Sequence, residues 1–244
     1  MKGFRPSTAL LVALSVAACN SGNSTSPASD AGPSNDFVCG AGGASGELRV
    51  TDATSVGAVA GAIISAPGCT TATADDRGDI AANFVPGQLL AIDIAASGYI
   101  DTHLDVTVLA GGFQFHPGMY PESSRSSVFT GFSDTNGYLF VAVDADGSDG
   151  GPCATKDGVT VSVQDNPQIP AGYLTDPLTR SASLTATDTL GLAVLGPLAP
   201  GVYEVIGTKT GCTASPTVTK YDAHPSAVDV LANTVTGQVL TLSP

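Results

Sequence analysis

The sequence lacks tryptophan and is poor in basic residues, and both shortages restrict the classes of partner. Among 244 residues there is no Trp, aromatic residues make up 6%, and nine Lys and Arg stand against 22 Asp and Glu. Nucleic-acid-binding surfaces need clustered positive charge, so the formal net charge of −13 argues against a nucleic-acid partner. Carbohydrate sites usually stack sugars on aromatic rings, and here only Tyr120, Tyr138, Tyr173 and Tyr221 remain as candidates.

Motifs that carry chemistry are also missing. The chain has three histidines, His103, His116 and His224, and none forms an HExxH zinc motif. There is no GxSxG nucleophile elbow, no phosphate-binding glycine loop and no CxxC pair. We therefore expect a non-enzymatic protein without a cofactor. His116, in "FQFHPGMY", either lines a pocket or packs as an ordinary loop histidine.

The sequence has no apolar run long enough to cross a membrane as a helix, which needs about 20 residues. The apolar run Ala9–Ala17 follows Lys2 and Arg5, as in a secretory signal. It ends in Val16-Ala17-Ala18-Cys19, which resembles the bacterial lipobox. That resemblance implies that residues 1–18 are a lipoprotein signal peptide and that Cys19 carries acyl chains such as palmitate. A plain signal peptide beside a chance cysteine is the alternative.

The segment after Cys19 predicts a flexible tether over residues 19–38. It reads "NSGNSTSPASDAGPSND" and has too little apolar content to offset the entropy of ordering. Asn20 stands where an Asp would resemble an inner-membrane retention signal, which favours a lipid-anchored location on the outer membrane. Without Lys2 and Arg5, seven basic residues face 22 acidic ones, a net charge of −15.

The rest of the chain has the pattern of β structure. Short runs rich in Val, Ile, Leu and Thr, such as "LLAIDIAA" and "YLFVAV", alternate with Gly, Pro and Asp clusters at roughly ten-residue intervals. Almost no helical periodicity follows residue 20. We therefore predict an all-β fold.

Two stretches of the chain match each other, which indicates tandem domains. The first copy begins at Val59 and ends at Tyr99, and the second begins at Lys156 and ends at Cys212. The paired positions are Gly61 with Gly158, Asp75 with Asp188, Gly78 with Gly191, Pro86-Gly87 with Pro200-Gly201, and Gly98 with Gly211. Asp accepts backbone hydrogen bonds at the start of a turn, and Gly tolerates a positive φ at its end.

This ordered set resembles the carboxypeptidase regulatory-like domain, a seven-stranded sandwich related to transthyretin (prealbumin). The resemblance implies two tandem sandwiches, residues 39–111 and 137–244. The residues between them, 112–136, are predicted to form a connector in which Pro121 and Glu122 open a short helix. In the carboxypeptidases this unit performs no chemistry. The ending "GQVLTLSP" lacks the Tyr-Arg-Gly-Ser of the related hydroxyisourate hydrolases, so we reject that activity.

Four cysteines besides Cys19 suggest two disulfides in an exported protein, with three possible connectivities. The division into two units puts Cys39 and Cys69 in the first and Cys153 and Cys212 in the second. We therefore predict the pairs 39–69 and 153–212.

Two short stretches have the composition of ligand sites. Asp144, Asp146 and Asp149 in "VDADGSDGGP" offer closely spaced oxygen ligands for Ca²⁺. Their spacing is not that of an EF-hand, so a solvated acidic hairpin loop is the simpler interpretation and no metal is expected. Arg77-Gly78-Asp79 spells a cell-adhesion tripeptide. The repeat assigns its Gly to turn geometry instead, with Arg77 and Asp79 expected to flank an exposed tip.

The expected function is that of an envelope-anchored, non-enzymatic lipoprotein acting as a binding or structural module. Its partners would be the membrane, through the lipid, and an envelope protein or glycan. Two alternatives stay open: a carbohydrate- or peptidoglycan-binding protein, and an accessory subunit of an envelope peptidase or transporter.

Overall fold

A computed structural model describes residues 36–41, 43–108, 113–145, 151–164, 166, 168–217 and 226–244. Within these ranges the chain forms 19 β-strands and two 3₁₀ turns, Glu122–Arg125 and Pro152–Ala154. The predicted all-β, sandwich-like fold is confirmed. The predicted signal peptide lies outside the described residues. Residues 37 and 38, predicted as the end of the tether, instead form a strand, and Phe37 is fully buried because it packs edge-on against Phe84.

The strands divide into two groups along the chain. The first unit holds β1 (Phe37–Val38), β2 (Ala44–Arg49), β3 (Thr51–Asp52), β4 (Ile63–Ser65), β5 (Ala72–Thr73), β6 (Asp79–Phe84), β7 (Leu89–Ala95), β8 (Asp101–Thr107), β9 (Phe113–Phe115) and β10 (Gly118–Met119). The second unit holds β11 (Gly137–Ala145), β12 (Thr160–Val163), β13 (Ala171–Asp176), β14 (Thr179–Arg180), β15 (Leu192–Leu198), β16 (Gly201–Lys209), β17 (Cys212–Pro216), β18 (Ala227–Val230) and β19 (Thr234–Ser243).

These strands form one large sheet, a smaller sheet and a short two-stranded pair. The smaller sheet has the order β1-β6-β2-β9, and the pair is β10-β3. The large sheet of 13 strands runs β14-β13-β15-β11-β19-β8-β7-β4-β5, with β12, β16, β17 and β18 branching from it. Strands of both units therefore lie in one hydrogen-bonded sheet.

The core of the first unit lies between the β1-β6-β2-β9 sheet and strands β8-β7-β4-β5. Alternation along β6 and β7 buries every second side chain, as the period of two in their sequences predicts. Leu48 and Phe84 from the smaller sheet meet Ile64, Ile92 and Ile94 from the large one. The result is a two-layer sandwich with one apolar interior.

The repeat is visible in the hydrogen bonds. Gly78 N–H donates to Asp75 C=O at 2.9 Å, and Gly191 N–H donates to Asp188 C=O at 3.0 Å. Both glycines have a positive φ, +77° and +72°, which other residues rarely adopt. The aligned Asp and Gly of the two copies thus form the same turn, as the sequence predicts.

The strand neighbours of these turns also correspond. Gly78 C=O accepts from Val50 N–H at 2.8 Å, just after β2, and Gly191 C=O accepts from Val143 N–H at 2.7 Å, within β11. Strands β2 and β11 therefore occupy equivalent places in the two units.

Strand β11 differs from its counterpart because both of its faces are covered. Leu139, Val141 and Val143 lie in the core of the second unit. Tyr138 and Phe140 point the opposite way, into a further apolar cluster. Burial on both faces explains the continuous apolar run "YLFVAV", which is typical of an internal strand.

The segment predicted as the connector supplies part of that further cluster. Tyr120, Val128 and Phe129 are buried there, and Tyr120 meets Phe129 edge-on with ring centroids 4.9 Å apart. The predicted short helix is present as the 3₁₀ turn Glu122–Arg125. The segment thus packs as part of the core between the two units.

The two units are joined by a parallel pairing of β8 with β19, which places Asp101 opposite Thr234 and Leu104 opposite Gly237. A Cβ at position 237 would lie 2.4 Å from Leu104 Cδ2, so any larger residue there would require the buried Leu104 side chain to move. We call this pairing the junction.

Candidate functional site

The most chemically specific cluster lies beside the junction. Successive side chains of a strand point to opposite faces, so His103 and Asp105 of β8 share one face. Asp93 of β7 lies directly opposite His103 in the antiparallel register. Asp229 of β18 comes from the second unit. Donor atoms of His103, Asp105 and Asp229 all lie within 4.8 Å of one another.

The His103 ring is buried and held in one orientation. It is 4% exposed, and its Nδ1 lies 2.6 Å from Asp93 Oδ1. A carboxylate only accepts, so Nδ1–H is the donor and the neutral ring carries its lone pair on Nε2. That Nε2 has no hydrogen-bond partner and lies 3.9 Å from Asp105 Oδ1. A basic nitrogen therefore faces the carboxylates.

The surroundings of this nitrogen are acidic. The side chain of Asp105 is 7% exposed, whereas that of Asp93 is 53% exposed. Asp105 and Asp229 also take part in other interactions. Burying a carboxylate is costly unless hydrogen bonds or a cation compensate it. The arrangement of one imidazole and two carboxylates can hold a divalent cation.

A second buried polar atom adjoins the cluster. Thr236 of β19 is the register partner of His103, so both side chains lie on the same face of the sheet. Thr236 Oγ1 is buried and makes no hydrogen bond. Two unpartnered polar atoms therefore lie on neighbouring strands at the junction.

The other face of β8 lines a small apolar cavity of about 40 Å³. Its walls include Leu104, Tyr120, Phe140 and Val235, and His116 lies at its edge, as one interpretation of the sequence expected. Tyr120 Oη is buried without a partner, and burial raises the pKa of that phenol far above its usual value. A cavity of this size has room for a few water molecules but not for an organic ligand.

The calcium candidate is described only in part. Asp144 is exposed near the end of β11, and Lys156 Nζ lies 3.2 Å from its Oδ1. Asp146 and Asp149 lie outside the described residues. The Ca²⁺ candidate therefore stays a hypothesis.

Both predicted disulfides are confirmed. Cys39 pairs with Cys69 and Cys153 pairs with Cys212. Each bond closes a loop within its own unit, so assigning the cysteines to the two units predicts the correct pairs. Cys19, the predicted lipid attachment site, lies outside the described residues.

Three of the four tyrosines proposed as sugar-stacking platforms cannot serve as such. Tyr120, Tyr138 and Tyr173 are buried, and the Tyr138 hydroxyl donates to Thr130 C=O. They were expected to be free because they lie outside the repeat motifs. Packing between the units and within the second core buries them instead. Tyr221 lies outside the described residues.

The adhesion tripeptide is also more constrained than its sequence suggests. Arg77 is exposed, as expected, but Gly78 is buried in the turn. The expected exposure of Asp79 is wrong, because its carboxylate accepts from Arg49 Nε at 2.7 Å and from Arg49 Nη2 at 3.2 Å. Arg49 is its register partner on β2. Asp79 is thereby engaged within the fold.

Sequence reasoning missed the His103 cluster because its members are distant in the chain. The only local signal is the alternation His-x-Asp in "DTHLDV", which on a strand puts both side chains on one face. Asp229 joins them only because β18 of the second unit packs near β8. No motif with fixed spacing records such a contact.

None of the helical segments in the described residues has the length and apolar character needed to cross a lipid bilayer. No family model matches the chain, and no curated protein matches it.

Several solved structures are similar in architecture. The TIE protein of Bacillus anthracis is 12% identical, with 82% of this chain and 33% of that protein covered and a TM-score of 0.27. The minor pilin GBS52 of Streptococcus agalactiae is 12% identical, with 83% and 97% covered and a TM-score of 0.25. The shaft pilin SpaA of Lactobacillus rhamnosus GG is 13% identical, with 82% and 97% covered and a TM-score of 0.24. With TM-scores this low, these likenesses carry no inference about function.

Proposed function

We propose that this protein is a non-catalytic lipoprotein of the bacterial outer membrane. Its Cys19 carries acyl chains, and the polar segment behind it holds the folded part away from the lipid surface. The support is Val16-Ala17-Ala18-Cys19, the apolar run before it and the tether composition after it. Several acyl chains together anchor a protein stably, since each buried CH₂ contributes about 0.8 kcal/mol.

The folded part acts as a rigid structural or binding module. The observation that carries this proposal is the pairing of β8 with β19, which joins both units in one sheet. A disulfide in each unit adds to the rigidity. The matching turn and strand hydrogen bonds support the finer proposal that each unit is a carboxypeptidase regulatory-like domain.

The partner we propose is a protein of the envelope. The buried positions of Tyr120, Tyr138 and Tyr173 remove the ring faces that a glycan site would use. The large apolar residues that remain exposed include Ile63, at 48%, and Val202, at 56%. Such residues suit contacts with another protein, and the strongly acidic surface would repel nucleic acid.

The lipid anchor is tested by growing cells with a clickable palmitate analogue. We expect labelling of the natural chain, loss of labelling in Cys19→Ser, and no change in the matched control Ser21→Ala. Asn20→Asp is expected to move the labelled protein from the outer-membrane to the inner-membrane fraction. Labelling that persists in Cys19→Ser would overturn the lipoprotein proposal.

The module's role is tested by placing a photo-crosslinking residue at position 202 in intact cells, with position 76 as an exposed control. A defined adduct with an envelope protein at 202 only is the expected result. Adducts with peptidoglycan would favour the glycan-binding alternative. Turnover in a broad hydrolase screen of the purified protein, abolished by a single substitution, would contradict the non-catalytic role.

A further inference from the structure

We propose that His103, Asp105 and Asp229 bind a divalent transition-metal ion, with Zn²⁺ as the best fit, and that this ion ties the two units together. Two observations carry the proposal independently. Donor atoms of the three side chains converge within 4.8 Å. The His103 ring, 4% exposed, directs an unpartnered Nε2 towards them.

The chemistry of the donors selects the class of ion. Ca²⁺ and Mg²⁺ prefer oxygen ligands, whereas an imidazole nitrogen with carboxylates suits Zn²⁺ and its neighbours in the first transition row. Metal-binding histidines usually donate their other ring N–H to a carboxylate, which fixes the ring and raises its basicity. Asp93 occupies that position, 2.6 Å from His103 Nδ1. Asp93 is thus a positioning residue.

Binding requires the three side chains to close on the ion. Donors on a tetrahedral zinc ion, with bonds of about 2.0–2.2 Å, lie about 3.3–3.6 Å apart. The present donor atoms lie within 4.8 Å of one another, and His103 Nε2 and Asp105 Oδ1 lie 3.9 Å apart. Rotation of the carboxylate side chains therefore has to bring the donors closer by up to about 1.5 Å. A fourth position is open to water, which Thr236 Oγ1 on the same face is placed to hydrogen-bond.

The ligands come from both units. His103 and Asp105 lie on β8, and Asp229 lies on β18. An ion bound to all three would hold β18 against the junction strand. Because the folded protein would bind the ion and the unfolded chain would not hold these side chains together, binding raises thermal stability. This role does not depend on the lipid anchor or on the proposed partner.

Metal titration of the purified full chain tests the proposal. The protein is stripped with a chelator, exchanged into metal-free buffer and titrated with ZnCl₂ in a calorimeter. We expect one equivalent of Zn²⁺ to bind. The Tm should rise by about 5–10 °C when free Zn²⁺ is about 100 times Kd. CaCl₂ and MgCl₂ should give no shift at the same concentration.

Substitutions of the proposed ligands test where the ion binds. Asp229→Asn and His103→Gln should each weaken Zn²⁺ binding more than tenfold and remove most of the Tm rise. The control that matches Asp229→Asn is Asp76→Asn, because it removes the same negative charge at an exposed turn position. It should bind as the natural protein does. Asp93→Ala should weaken binding by about 10–100-fold, as loss of an outer hydrogen-bond partner usually does.

Co²⁺ provides a direct readout if His103→Gln fails to fold. Co²⁺ in place of Zn²⁺ should give visible d–d absorption bands that are lost in Asp229→Asn. The absence of any Zn²⁺ binding would overturn the proposal and leave the His103 ring with a structural role beside Asp93. Binding of equal strength in Asp229→Asn and the natural chain would also overturn it, because the ion would then lie elsewhere.

Discussion

At the scale of single residues, Gly78 shows how a turn and a strand restrict the same position. Its φ is +77°, and a Cβ there would lie 2.4 Å from Val50 C=O, which belongs to the backbone and cannot move aside. Gly61 has a similar φ of +72°, but nothing lies within 4 Å of its Cβ position. Substitution of Gly61 would therefore introduce backbone strain alone, whereas substitution of Gly78 would introduce both strain and steric overlap.

We expect Gly61→Ala to lower the free energy of unfolding by about 1–2 kcal/mol, the cost of a left-handed backbone for a residue with a Cβ. Gly78→Ala should lower it by at least about 1 kcal/mol more, because overlap adds to that strain. Urea unfolding of both variants measures the difference. Equal losses would show that the Val50 carbonyl is not the constraint.

Asp52 gives the fold a dependence on acid. Burial alone would raise its pKa, but hydrogen bonds from Thr54, from Ser55 N–H and from Tyr99 Oη together lower it below the ordinary 3.8. The unfolded state then binds a proton more readily than the folded state. The stabilisation is fully present above pH 3.8 and is lost as the pH falls through the lower, folded value.

The stability of Asp52→Asn relative to the natural chain reveals this linkage. The deficit of the variant in unfolding free energy should be constant at neutral pH and should shrink once the pH falls below about 4. Tyr99→Phe removes one of the donors and should reduce the change with pH in the otherwise natural chain. A deficit that does not vary with pH would rule out Asp52 as the source.

The adhesion tripeptide marks the limit of prediction at this scale. The turn at Gly78 could be predicted, because Asp and Gly recur at the same spacing in both copies and each has a local role. The pairing of Asp79 with Arg49 could not, because the partner lies 30 residues earlier and meets it only through strand register. Local chemistry is readable from sequence, whereas contacts made by register are not.

At the scale of elements, the disulfides set local loops of different length. The bonded cysteines are 30 residues apart in the first unit and 59 apart in the second. A cross-link stabilises mainly by restricting the unfolded chain, and longer loops lose more entropy. The second bond should therefore contribute slightly more than the first.

Removing each bond by paired alanine substitutions tests this ordering. We expect losses of about 3.6 kcal/mol for Cys39→Ala with Cys69→Ala, and about 4.2 kcal/mol for Cys153→Ala with Cys212→Ala. Guanidinium unfolding of the two double variants gives the comparison. A larger loss in the first unit would mean that native packing around Cys39, not loop entropy, dominates.

Strands were predicted correctly both where one face is buried and at "YLFVAV", but the second buried face of that strand was not predicted. The alternation along β6 and β7 is legible because one face meets solvent. In β11 every position from Gly137 to Val143 is buried. Its continuous apolar sequence is typical of an internal strand, but it does not identify the residues that cover the second face. The cover comes from Tyr120, Val128 and Phe129, which precede β11 and carry no strand pattern.

The same reason explains why the candidate metal site was not predicted. His103 and Asp105 are two residues apart, and strand alternation alone brings them to one face. Asp93 becomes relevant through antiparallel register, and Asp229 through the packing of the second unit on the first. Residues that are distant in the sequence join the cluster only through contacts made in the folded protein.

At the scale of the whole molecule, the junction decides whether the two units behave as one. The β8–β19 pairing carries hydrogen bonds across, and the cluster around Phe140 takes Ala53 and Ile100 from the first unit and Leu192 and Val235 from the second. Apolar contacts shared in this way couple the unfolding of the parts. We therefore expect a single thermal transition in the natural chain.

Gly237→Val tests that coupling. The new side chain would overlap the buried Leu104, whose Cδ2 lies 2.4 Å from the Cβ position, and repacking the junction around it should cost about 1–3 kcal/mol. Calorimetry in the presence of a chelator should show two transitions, because the units then unfold separately. The control Ser243→Val adds a similar side chain at the exposed end of β19 and should keep one transition. One transition at lower temperature in Gly237→Val would place the coupling in the Phe140 cluster, and two transitions in the natural chain would show that the junction does not unite the units.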